Sequence, residues 1–83
     1  MLIRVRYFAD LREAFGPETL VDAAGLATVG ALRDRLSTSS PEHGRLLGRD
    51  RAVRCALDQR LCDDATPLRE GAEVAFFPPV TGG

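Results

Sequence analysis

Lysine is missing from this 83-residue chain, and all eleven of its basic residues are arginines. No side chain is therefore available for Schiff-base chemistry, acetylation or isopeptide attachment. Histidine occurs once, as His43, so no histidine pair exists to bind a metal or to assist a nucleophile. The two cysteines, Cys55 and Cys62, are too few for a disulfide framework, and their spacing fits neither a zinc site nor a CxxC redox motif. They read as buried thiols. No apolar run approaches the roughly 20 residues that span a bilayer, which predicts no membrane insertion. A net charge of -1 leaves no basic face to neutralise phosphates, which argues against nucleic-acid binding. The start, Met1-Leu2-Ile3-Arg4-Val5, enters a strand pattern directly, without the basic and apolar regions of a signal peptide. A cytoplasmic location is expected.

Motifs of self-contained catalysis are also lacking. There is no GxGxxG or GxxxxGK[ST] loop, no HExxH and no GxSxG elbow. The adjacent Asp63-Asp64 read as a solvated turn, and Asp10 and Glu13 as a helix surface, rather than as acid/base pairs. No metal or cofactor is expected to be bound by the chain itself.

What is present is an ordinary globular composition, with 45% apolar and 28% charged residues. A chain this short holds one hydrophobic core. Leu2 to Phe8 alternates, placing Ile3, Val5 and Tyr7 on one face and Arg4, Arg6 and Phe8 on the other, the period-2 pattern of a half-buried strand. Ala9 to Phe15 predicts a short helix ended by Gly16-Pro17, and Glu18 to Ala23 a second strand. Thr28 can cap a helix through Ser37, with Val29, Leu32 and Leu36 on one stripe and Arg33, Asp34 and Arg35 turned outward. Pro41 to Gly48 can form a short helix.

Arg51 to Leu57 alternates as a third strand. A tight turn at Asp58-Gln59 would set Leu57 against Arg60, Ala56 against Leu61 and Cys55 against Cys62, with both thiols reduced in the core. Ala72 to Phe77 reads as the last strand, closed by Pro78-Pro79, which cannot extend a ladder. Long connections between strands, one holding the main helix, predict an α+β fold in which a mixed sheet of about five strands wraps one helix.

The end of the chain, Phe76-Phe77-Pro78-Pro79-Val80-Thr81-Gly82-Gly83, is its most distinctive segment. Either Thr81-Gly82-Gly83 is a frayed end, or the diproline directs outward an arm whose glycines, lacking a Cβ, thread into a narrow cleft of another protein. In the second reading the Gly83 carboxylate carries the chemistry. Being a poor electrophile, it must first be activated, and an acyl-adenylate made with ATP on a partner enzyme could then accept sulfur as a thiocarboxylate. Phe8 and Phe77 lie on the strand faces turned away from the core, and Leu61, opposite Ala56, joins them as a candidate partner surface beside the tail.

These residues resemble a known family. Glu70 to Gly83 look like the ending of the MoaD sulfur carriers, the small subunits of molybdopterin synthase. Val5 to Glu13 look like their opening, and Leu57-Asp58-Gln59-Arg60-Leu61 and Asp64 to Leu68 fit as well. Residues 38 to 50 are the least similar. The resemblance implies a ubiquitin-like β-grasp domain over residues 1–77 with a tail over 78–83, acting as a non-catalytic carrier subunit. It implies that Gly83, preceded by Gly82, is adenylated by a ubiquitin-activating-like enzyme using ATP and Mg, and that a sulfur donor protein makes the thiocarboxylate. It further implies that Phe8, Leu61, Phe77, Pro78, Pro79, Val80 and Thr81 contact the large synthase subunit in a heterotetramer, where sulfur passes to cyclic pyranopterin monophosphate. A sulfur carrier for thiazole, cysteine or tRNA thiolation, and a non-covalent ubiquitin-like interaction module, remain the alternatives.

Overall fold

A computed structural model describes residues 1–79, leaving Val80, Thr81, Gly82 and Gly83 outside the described residues. Five strands and three helices follow in the order β1 (Leu2–Tyr7), α1 (Ala9–Phe15), β2 (Glu18–Asp22), α2 (Val29–Ser37), α3 (Pro41–Leu47), β3 (Arg54–Leu57), β4 (Arg60–Cys62) and β5 (Glu73–Phe77). The strands form one mixed sheet in the order β2-β1-β5-β3-β4. Only the central pair β1 and β5 is parallel. The other pairings are antiparallel. This is the α+β class expected from the strand pattern, in the β-grasp arrangement that the family resemblance implied.

Alternation builds the core. Ile3, Val5 and Tyr7 of β1 and Val74 and Phe76 of β5 are buried on the inner face, against Val29, Leu32 and Leu36 of α2 and Leu46 and Leu47 of α3. Each such large side chain contributes roughly 1.5–3 kcal/mol by leaving water. Thr28 caps α2 through its hydroxyl, which accepts from the Ala31 amide at 3.1 Å. Gly30 must be a glycine, since a Cβ there would stand 2.8 Å from Asp64 Cβ and 2.9 Å from the Asp64 carbonyl. That close approach lets the 63–66 loop accept hydrogen bonds from the first turn of α2, Gly30 N to Asp64 O and Val29 N to Thr66 O, both at 2.9 Å.

The structure corrects the expected position of Arg33. Its side chain is buried rather than turned outward. The guanidinium donates to the carbonyls of Leu47 at 2.7 Å, Gly48 at 2.8 Å and Arg51 at 2.9 Å. Those acceptors include the free carbonyls at the end of α3, which need a donor once buried. Several strand limits also shorten. Arg51 to Val53 precede β3 unpaired, because Arg33 and the Arg51 N to Gly48 O bond hold this segment as a turn. Ala23 and Ala72 flank β2 and β5. Phe8 follows β1 with extended backbone, as the residue before α1.

Candidate functional site

Among the described residues, the outer face of the sheet is left open, with Leu2, Leu20 and Leu61 exposed on it. Register alone assembles a row across four strands: Arg6 beside Ala75, Ala75 beside Ala56, Ala56 beside Leu61. Ala75 and Ala56 are small enough to form a floor between larger neighbours, and both are buried although they face outward. Above that floor stand Phe8 and Phe77, edge to face with ring centroids 6.5 Å apart, a geometry favoured by the aromatic quadrupole. The Arg6 guanidinium lies 5.5 Å from the Phe8 ring centroid and 3.9 Å from the Glu73 carboxylate. It therefore adds a cation–π contact and a polar rim. Pro78 and Pro79 complete an open, mainly apolar groove of about 760 Å³.

Of the residues singled out in the sequence, Phe8, Phe77, Pro78 and Pro79 converge on this groove. Leu61 is on the same face and exposed, but it sits on the edge strand and lines a separate polar depression with Asp58, Arg60 and Arg69. Val80, Thr81, Gly82 and Gly83 fall outside the described residues. Sequence reasoning missed the alanine floor, the Arg6–Glu73 rim, and the exposed Leu2 and Leu20 at the far side of the same face. For Leu2 the signal was the alternation that puts it on the face of Arg4 and Arg6; Leu20 joins that face only through its pairing with Arg4.

The remaining polar residues serve the scaffold. Asp63 accepts from the Ala65 amide at 2.9 Å and Asp10 pairs with Arg51 at 3.0 Å. Asp34 and Asp64 share Arg49, and the hydrogen bond from Arg49 holds the Asp34 carboxyl below its ordinary range. Among the described residues, no cluster of three or more His, Cys, Asp or Glu could hold a metal, and no helix is long and apolar enough to cross a membrane. The geometry offers an open apolar groove that reaches Pro78 and Pro79.

Comparison with known proteins agrees with this architecture. The ThiS family profile matches residues 5–83. The chain is 42% identical over 82 residues to the molybdopterin synthase sulfur carrier subunit of Escherichia coli K12, covering 99% of this chain and 100% of that protein. The crystal structure of SAMP1 from Haloferax volcanii superposes with a TM-score of 0.79 at 31% identity, over 100% of both chains. A chain in the complex of subunits 1 and 2 of the molybdopterin-converting factor from Helicobacter pylori superposes with a TM-score of 0.68 at 27% identity, also over 100% of both chains. With a β-grasp sheet, a family match across nearly its whole length and a 42% identical relative, this chain belongs to the ThiS family, in its MoaD-type branch.

Proposed function

We propose that the chain is the sulfur carrier subunit of molybdopterin synthase, with the Gly83 carboxylate as the carrying group. The observation that supports it most is the apolar groove of Phe8, Phe77, Pro78 and Pro79 at the point where the chain leaves the sheet. A partner seated there would receive whatever the tail carries.

The chemistry needs two partners. On an adenylating enzyme, a Gly83 carboxylate oxygen attacks the α-phosphorus of ATP, with Mg held by that enzyme, and pyrophosphate leaves. The terminal sulfur of a donor persulfide then attacks the acyl carbon and AMP departs. A thiol cleaves the resulting S–S bond to free the thiocarboxylate. On the large synthase subunit the tail delivers this sulfur to cyclic pyranopterin monophosphate and returns as a carboxylate. Gly82 and Gly83 would thread the partner's cleft, a role suited to residues without a side chain, while Val80 and Thr81 would contact its walls.

The test is intact-mass spectrometry of the full chain after incubation with the adenylating enzyme, ATP and a sulfur source. Replacement of one oxygen by sulfur at Gly83 is expected, and an unchanged mass would refute the carrier chemistry. The similarity to SAMP1 favours, as a second reading, the same carrier chemistry serving another acceptor. Affinity capture separates the two: the molybdopterin reading requires recovery of the large synthase subunit.

A further inference from the structure

The two cysteines have no part in the tail chemistry, yet the fold places them directly opposite one another. Cys55 on β3 pairs with Cys62 on β4, and their sulfurs are 3.5 Å apart. Opposed residues on antiparallel strands have Cα atoms about 4.5–5.5 Å apart, inside the range of about 4.4–6.8 Å that a disulfide spans. The register therefore puts the pair within disulfide reach, with the sulfurs to close from 3.5 Å to bonding distance. The two thiols also differ in access. Cys55 is buried on the inner face, whereas Cys62 is partly exposed on the edge strand and lines the polar depression beside Asp63, Thr66 and Arg69.

From this placement we infer that Cys55 and Cys62 form a peroxide-sensitive modification site, oxidised in place to a cross-strand disulfide that ties β4 to β3. The inference is independent of the sulfur-carrier reading. Cys62 reacts first. Its sulfur, as thiolate, attacks one peroxide oxygen; the O–O bond breaks, hydroxide leaves and a sulfenic acid remains. Cys55 then attacks the Cys62 sulfur. The S–S bond forms as the S–O bond breaks, and the oxygen departs as water with the Cys55 proton. Two thiols are oxidised by two electrons while one hydrogen peroxide is reduced to two waters.

The environment supports this order. Burial pushes the Cys55 thiol up to about 12, so it is a poor first nucleophile. Its 3.5 Å distance from the Cys62 sulfur nonetheless makes it an immediate resolving partner. The consequence falls on the sheet edge. β4 has only three residues and pairs on one side alone. It carries Leu61 and leads into the 63–66 loop that is bonded to the start of α2. The cross-link holds that hairpin closed without touching the groove, since both sulfurs lie on the opposite side of the sheet from Ala56.

The experiment treats the reduced full chain with equimolar hydrogen peroxide and reads intact mass, a non-reducing peptide map and thermal unfolding. The wild type is expected to lose two hydrogens, to remain a monomer, to give a Cys55–Cys62 linked peptide, and to unfold at a higher temperature than before treatment. Cys55→Ala is expected to add oxygen at Cys62 or to form intermolecular dimers. Cys62→Ala, at the more exposed position, is expected to leave Cys55 unmodified at the same dose. Oxygen addition to Cys62 in the wild type without the internal link, or dimers in place of it, would overturn the proposal. So would equal peroxide consumption by the wild type and Cys62→Ala.

Discussion

The two faces of the central strands β1 and β5 share a backbone and differ only in which residues alternate onto each. Inward, Val5, Tyr7, Val74 and Phe76 meet α2 and α3 and are buried. Outward, Arg6, Phe8, Ala75 and Phe77 line an open groove, in which Ala75 and Ala56 of β3 make a floor for two aromatics. One face makes the fold; the other presents a shape. Adjacent residues Phe76 and Phe77 should therefore fail in different ways when altered.

The largest effect is expected for Phe76→Ala, which empties a fully buried site and costs about 3–5 kcal/mol. Phe77→Ala removes chiefly the edge-to-face pair and costs about 0.5–1.5 kcal/mol. Urea unfolding of the two variants measures the contrast, and equal losses would abolish the distinction between faces. Next comes association. Phe77→Glu places a charge in the groove and should weaken binding to the large synthase subunit by about 2 kcal/mol or more, with Phe8→Ala weaker in the same direction and both variants folded. Unchanged affinity in calorimetric titration would remove the groove from the interface.

A smaller loss, roughly 1–3 kcal/mol, is expected for Arg33→Met, which takes the guanidinium donor from the Leu47 and Arg51 carbonyls. Circular dichroism melts would register it, without any change in partner affinity. The smallest concerns Asp34. Its carboxyl is held below its ordinary range by Arg49, so the folded state binds the proton less readily than the unfolded chain. The associated stability is present above the unfolded value and fades as pH falls through the folded one. The pair is half exposed, so Asp34→Asn should cost under about 1 kcal/mol at neutral pH. That difference should vanish in acid, and a cost that persists there would assign the effect to packing.

Much of this was legible in the sequence. Strict alternation marked β1 and the outward aromatics, and Thr28 announced the start of α2. The hairpin register followed from a two-residue turn at Asp58-Gln59, although neither residue is a glycine. Both adopt positive φ, 48° and 69°, and the cost of that conformation is offset where the Asp58 side chain accepts from the Glu73 amide at 3.0 Å and from Arg69 at 2.7 Å. Those partners lie 11 and 15 residues away and cannot be inferred from local pattern. Arg33 was misread for the same reason. A charged residue on a helix is outward by default, and only the carbonyls that end α3, in the stretch with least recognisable pattern, draw it inside. The alanine floor escaped notice because small residues carry no signal until register sets Ala56 beside Ala75.

The position of β5 between β1 and β3 has a consequence for synthesis. A nascent chain that has not yet released residues 73–77 owns two separate hairpins, β1 with β2 and β3 with β4, and such isolated pairs are marginal in water. The two pairs gain a common core only when β5 lies between them, so a fragment lacking residues 73–77 is expected to be open to protease. The strand that leads into Pro78-Pro79 is thus also the one that joins the two halves of the sheet.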